Sequence, residues 1–236
     1  MYKGKKVSLI LPAYNEKEAI KGVIRSFSKI RYIDEIVVVD NNSKDATARL
    51  ARETKTAKVV CETKQGYGYA LQRGMRQAKG DILVTCDADA TYISSDIVKL
   101  LRQANKYDFV WSTRMFKEYL LPNANMGFYR RIANIFFSKL IQISFSPKTN
   151  LTDLGATFRL LNRKPYEVIK NKFTIGGGQF QPELTILALK NGFSIKEVPV
   201  HYGPRVGTSK ISGSLMGGIK TAWRMLKVII SYEFKN

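Results

Sequence analysis

The chain has 236 residues, 44% hydrophobic and 11% aromatic, enough to bury a core without disulfide or metal staples. Its 39 Lys and Arg outweigh 19 Asp and Glu to give a formal net charge of +20, which points to polyanionic partners: nucleic acid, an anionic membrane surface or phosphorylated substrates. Two cysteines, Cys61 and Cys86, do not suggest a disulfide framework and show no zinc-site spacing, and no charge-free apolar run reaches the roughly 20 residues of a spanning helix.

Residues 7–11, 35–40, 58–61, 81–86 and 108–111 read as strands: short, rich in Val and Ile, and bounded by turn residues. Between them, 17–30, 44–54, 66–78 and 94–105 have the length and composition of helices. This alternation predicts an α/β fold with a mostly parallel central sheet flanked by helices and right-handed crossovers. Ligands of such sheets bind beyond the carboxyl ends of the strands. Farther on, 128–145 is an amphipathic helix, 156–161 a strand, 181–190 a helix and 194–200 a strand. A loop over 202–210 leads to a final amphipathic helix, about 214–232. The expected organisation is one domain over 1–212 and a C-terminal amphipathic, membrane-associated helix over 213–236.

The polar residues gather at the strand ends. Leu11-Pro12-Ala13-Tyr14-Asn15-Glu16 turns the first strand into a helix. Asn15 and Glu16 could cap that helix, or Pro12, Ala13 and Glu16 could border a base and ribose. Asp40 ends the second strand, where an unpaired carboxylate is costly and a ligand donor would satisfy it. Asn42 or Ser43 is the candidate helix cap there, with Asp45 in the first turn. Lys64-Gln65-Gly66-Tyr67-Gly68 is either a tight turn or a close backbone approach to an anion at a helix start. Asp87-Ala88-Asp89 follows the fourth strand. Its carboxylate oxygens suit Mg2+ or Mn2+, which neutralise a diphosphate.

These four segments, in this order, resemble family 2 glycosyltransferases of the GT-A fold over about residues 7–115: Pro-x-Tyr-Asn-Glu, Val-Asp-x-x-Ser-x-Asp-x-Thr, Gly-x-Gly-x-Ala and Asp-Ala-Asp. The resemblance implies a donor nucleotide held by Pro12, Ala13, Tyr14, Glu16, Asp40, Asn42, Lys64, Gly66, Asp87 and Ala88. It makes Asp89 the main metal ligand, with Asp87 on metal or ribose. Asn41-Asn42 stands where many members have Asp-Gly; it leaves both UDP- and GDP-sugars open, with a tilt toward UDP.

The segment from Thr152-Asp153 to Phe158-Arg159, and Pro199-Val200 followed by Arg205-Val206-Gly207-Thr208-Ser209-Lys210, resemble the dolichyl- and polyprenyl-phosphate mannose and glucose synthases. This implies transfer of a hexose, with inversion, to a polyprenyl phosphate at the cytoplasmic face of a membrane. A lipid phosphate is ionised at neutral pH and needs no strong base, so Asp153 would orient a substrate while Arg205 and Lys210 close over the phosphates. Arg114, Arg131 and Ser209 are the acceptor-phosphate candidates. Glu183 has two readings, near the sugar or as an ordinary first-turn acid, and His201 is expected to be structural.

No signal-peptide core precedes the first strand, so attachment is expected to be peripheral, through the amphipathic helices, an anchoring partner or a homo-oligomer. The competing classes are a transferase acting on a glycan or protein and a basic nucleic-acid-binding protein. The dispersed basic residues argue against nucleic acid as a partner.

Overall fold

The computed structural model describes residues 1–146, 150–207 and 215–234. Its strands are β1 (Val7–Ala13), β2 (Glu35–Asp40), β3 (Lys58–Cys61), β4 (Ile82–Thr85), β5 (Phe109–Thr113), β6 (Arg159–Asn162) and β7 (Ile195–Pro199). Its helices are α1 (Ile20–Ser28), α2 (Thr47–Glu53), α3 (Tyr67–Gln77), α4 (Ile97–Leu101), α5 (Phe128–Phe145), α6 (Arg163–Ile169), α7 (Phe180–Lys190) and α8 (Leu215–Glu233). The strands form one sheet in the order β3-β2-β1-β4-β6-β5-β7. It is mostly parallel, as expected; β6 runs antiparallel to both β4 and β5.

Side-chain alternation divides the interior in two. Val7, Leu9 and Leu11 of β1 join Ile36, Val38, Ile82 and Val84 in a core against α1 and α4. Ile10, Val37, Val39 and Leu83 face the opposite core, which takes in α3, α5, α6, α7 and α8. Each such aliphatic side chain contributes roughly 1.5–3 kcal/mol by leaving water. Ile229 and Tyr232 bury α8 in the second core, so the C-terminal helix packs on the sheet-flanking layer.

Several bounds differ from expectation, each for a local reason. The first helix starts at Ile20 because Ala19 and Ile20 both donate to the Glu16 carbonyl, making a turn of the preceding residues. The helix expected over 94–105 is a 3-10 turn, Ser94–Asp96, followed by the short α4. Neither Asn42 nor Ser43 caps α2. Asp45 accepts the Thr47 N–H instead, while Ser43 accepts that of Asn15. Helix α6 was not expected; Pro165 sits in its first turn, where a missing N–H loses no intrahelical bond. Strand β6 begins at Arg159, and its reversal brings that beginning to the edge where the parallel strands end: Arg159 pairs with Thr85, the last residue of β4.

Candidate active site

Strand β1 carries a proline at its penultimate position, and the sheet tolerates it for a geometric reason. The Ile10 carbonyl points toward β4, where it accepts the Cys86 N–H, and Pro12 points the same way two residues on. The β1–β4 register ends at Thr85, so the missing N–H of Pro12 faces no ladder partner. Beyond this point β1 and the segment after β4 part, and a cavity of about 420 Å3 opens between them.

Pro12, Ala13, Tyr14, Glu16, Asp87 and Ala88 line this cavity, together with Asp89 and Arg205. Asn41, Gln65, Tyr67, Ala70 and Tyr202 complete its walls, none of them among the predicted site residues. Asn41 is the organiser among them. Its amide donates to the carbonyls of Glu62 and Lys64 and accepts from Gly66 N–H at 2.8 Å, joining the loops after β2 and β3. Asn42 is exposed, and its φ of +61° turns the chain away from the cavity.

Other predicted donor residues sit around the cavity rather than on its wall. Asp40 is 7% exposed, and its Oδ1 has no hydrogen-bond partner among the described residues. Lys64 is exposed, its ammonium 5.8 Å from the centre of the Tyr69 ring. Gly66 has φ +154°, and a Cβ there would lie 2.3 Å from the Gly176 carbonyl oxygen. Close backbone packing, then, is enough to demand glycine at 66.

The two strand-end carboxylates are held differently. Asp87 accepts from Tyr67 Oη at 3.0 Å and Thr157 Oγ1 at 2.8 Å. Burial and the adjacent Asp89 charge push its carboxyl up to about 7, against the pull of those two hydrogen bonds. Burial, and then Asp87, raise the Tyr67 phenol well above its usual value. Asp89 Oδ1 accepts from both N–H (3.1 Å) and Oγ1 (2.6 Å) of Thr91, across Ala90 in the left-handed conformation. That conformation costs alanine roughly 1–2 kcal/mol, which the two hydrogen bonds offset. Asp89 Oδ2 lies 3.0 Å from Arg205 Nη1, and Arg205 Nη2 contacts Glu16.

Asp153 and Arg114 form a buried pair behind Tyr202. The Asp153 carboxylate accepts from Arg114 N, Nε and Nη2, each at 2.8 Å, and the guanidinium lies 4.9 Å from the Tyr202 ring centre. Glu197 accepts the N–H of both Thr152 and Asp153 and so fixes the same loop. Polar side chains of α5 grip it as well: Asn134 accepts Gly155 N–H and Ser138 accepts Leu154 N–H. Arg131 donates to the Met115 carbonyl at 2.7 Å. Ser209 and Lys210 lie outside the described residues.

Three residues have structural roles. Arg159 is fully buried among the carbonyls of Leu154, Ala156 and Gln181, and burial lowers its guanidinium to about 10. Glu183 accepts from Thr174 N and Oγ1, Ile175 N and Tyr232 Oη, so its carboxylate ties α7 to α8 and to the 174–175 turn. His201 N and Nδ1 both meet Asp96 Oδ2.

A family model described as glycosyl transferase family 2 matches residues 8–170. An uncharacterized glycosyltransferase of Mycobacterium tuberculosis is 30% identical over 240 residues, 96% of this chain and 99% of the relative. The low-salt glycan biosynthesis hexosyltransferase Agl6 of Haloferax volcanii is 26% identical over 230 residues, 95% of this chain; the match spans 53% of that protein, about half its length. Among solved structures, glucosyl-3-phosphoglycerate synthase from M. tuberculosis, in complex with Mn2+, uridine diphosphate and phosphoglyceric acid, superposes with a TM-score of 0.75 at 20% identity. That likeness covers 99% of this chain and 80% of the other, and identifies the fold as GT-A.

Proposed function

We propose that this chain, which belongs to glycosyl transferase family 2, moves a hexose, with inversion, from a nucleotide-diphosphate sugar to a polyprenyl phosphate, using Mg2+ or Mn2+. The observation that carries the donor half is the convergence of Asp87, Asp89, Glu16 and Arg205 on one cavity at the strand ends. Its volume of about 420 Å3 is in the range of small-molecule sites. A UDP-sugar is the first choice of donor, since the glucosyl-3-phosphoglycerate synthase of like fold binds uridine diphosphate with Mn2+.

The donor set fits a hard divalent cation. Asp87 and Asp89 offer carboxylate oxygens, and a guanidinium already stands against Asp89 as a cation. Among the described residues no group of three or more His, Cys, Asp or Glu side chains could hold a metal, so diphosphate oxygens would complete the coordination. When bound, the metal supplies charge stabilisation to the leaving diphosphate. Arg205 adds a second positive charge, and Tyr67 and Thr157 orient the Asp87 carboxylate. Asp40, with its buried unpartnered Oδ1, is the candidate to bind a donor hydroxyl or base N–H.

The acceptor needs no deprotonation. One of its phosphate oxygens forms the bond to the anomeric carbon as the bond to the diphosphate breaks on the opposite face. Asp153, occupied by three N–H groups of Arg114, fixes that guanidinium behind Tyr202 and does not serve as a base. A polyprenyl chain is supported by the loop that carries Arg205 and by the apolar surfaces of α5 and α8. Phe128, Tyr129, Phe136 and Ile143 of α5, and Trp223 and Ile230 of α8, are all more than half exposed. Exposed Lys220, Arg224 and Lys227 lie on the same terminal helix. No described helix is long and apolar enough to cross a membrane, and interfacial docking uses this combination of aromatic and basic residues.

The test is incubation with labelled UDP- and GDP-sugars, Mn2+ and polyprenyl phosphate in vesicles, followed by organic extraction. Label in the lipid phase is expected, and Asp89→Ala should lower it on the order of 100-fold or more while the protein stays folded. A second reading, a soluble phosphorylated acceptor, is favoured by the phosphoglyceric acid in the structurally similar synthase. Label on phosphoglycerate with none in the lipid phase would select it.

A further inference from the structure

The cation at Asp89 belongs to the protein itself. Arg205 places Nη1 3.0 Å from Asp89 Oδ2 and shares its other amino group with Glu16. The arrangement is built from the backbone outward. Val206 N–H donates to the Asp89 carbonyl at 3.0 Å, Gly203 N–H to that of Thr91 at 2.8 Å, and Tyr202 bridges Tyr92. Two strand-like segments are therefore laced together with the guanidinium opposite the carboxylate. The Asp89 side chain is 8% exposed and that of Glu16 11%, so neither charge is well solvated. The Arg205 Nε is buried and has no hydrogen-bond partner among the described residues.

Two cations cannot share Asp89 Oδ2 cheaply, since like charges about 4 Å apart repel strongly in a partly dry site. A bare divalent ion must displace the guanidinium from Asp89 and leave it leaning on Glu16 alone. A diphosphate changes the balance by offering Arg205 an anion of its own, to which a guanidinium binds in bidentate fashion. Metal and diphosphate arriving together leave every charge with an opposite partner.

Resting on the donor-site reading above, we infer that Arg205 is an internal counter-ion for Asp89. It excludes free divalent metal and yields the carboxylate only when a diphosphate arrives to take the guanidinium. Arg205 thereby sets the ligand that the site accepts: the metal–nucleotide complex rather than either part. By linkage, the metal and the nucleotide must strengthen each other equally, and that coupling passes through this one side chain.

The experiment is Mn2+ titration of the full chain, followed by the loss of the free-ion electron paramagnetic resonance signal, alone and with UDP or GDP. Wild type should bind Mn2+ weakly by itself and at least about tenfold more tightly with the nucleotide. Arg205→Gln should bind Mn2+ alone roughly tenfold more tightly than wild type, with the enhancement by nucleotide reduced. Arg205→Lys keeps the charge and should hold the bare-Mn2+ affinity near wild type, which guards against a general loosening of the loop. It should lose part of the nucleotide enhancement, because an ammonium cannot grip a diphosphate in bidentate fashion. Bare-Mn2+ affinity unchanged or weakened in folded Arg205→Gln would overturn the inference while leaving the donor site intact. Failure of wild type to bind Mn2+ with either nucleotide would overturn the donor-site reading, and the inference with it.

Discussion

Asp87 is a carboxylic acid kept partly protonated near neutrality by burial and by its neighbour Asp89. The sign of its effect on stability follows from the direction of that shift. Between the unfolded value of 3.8 and the folded value of about 7, the native state holds a proton that the unfolded chain has lost. The stabilisation from the neutral form is complete below 3.8 and disappears as pH rises through about 7. In chelator, the melting temperature should therefore carry a downward component across that window, on the order of a few degrees. Asp87→Asn should flatten it; an Asn variant with the full wild-type slope would assign the effect elsewhere. The place of Asp87 and Asp89 at the strand-end cavity was legible because two acids follow an apolar strand. Arg205 was expected by resemblance to close over the phosphates, but its pairing with Asp89 was not legible, since 116 positions separate the two. Asn41 was missed in favour of Asn42 because the decision rests on one backbone torsion: the left-handed turn at 42 sends the second Asn outward and leaves the first facing inward.

Helices α5 and α8 each divide their apolar residues between a buried and an exposed face. The α5 bounds were readable from periodicity to the residue, but its partners were not, because its apolar residues divide between core and solvent. Ile141 is fully buried, while Phe136 is 57% exposed. Ile141→Ala should cost about 2–5 kcal/mol in a denaturant melt. Phe136→Ser should change stability by less than about 0.5 kcal/mol yet weaken sedimentation with anionic vesicles several-fold if that face docks on lipid; equal vesicle binding would remove Phe136 from the proposed surface. At the other end of the chain, Tyr232 donates to Glu183 at 2.6 Å in a buried setting. Tyr232→Phe should lose roughly 1.5–3 kcal/mol, the range for a hydrogen bond to a charged group. A thermal melt unchanged in that variant would mean that the Tyr232 hydroxyl adds nothing to the hold on α8. Helix α6 escaped the sequence because a proline within seven residues reads as a break, although first-turn placement makes it harmless.

For the molecule as a whole, the net charge of +20 bears on docking rather than on folding. Attraction of the proposed membrane face to anionic lipid should weaken as salt rises from about 0.1 to 1 M, where the screening length contracts from roughly 10 to 3 Å. Vesicle partitioning should fall at least about tenfold over that range and persist in part through the aromatic side chains. Salt-independent partitioning would shift the whole interaction to those aromatics. The order of strands and helices was largely evident from alternation alone, but the direction of β6 was not, since a four-residue strand carries no mark of its polarity. That direction has an architectural consequence. Six strands running one way deliver only the loops that follow them to the working edge; a reversed strand delivers the loop that precedes it. The Asp153 loop thus reaches the rim from the opposite side of its strand, meeting Asp87 through Thr157. Two loops of opposite polarity can vary separately in length and sequence, while a shared strand pair, β4 and β6, keeps their bases in register.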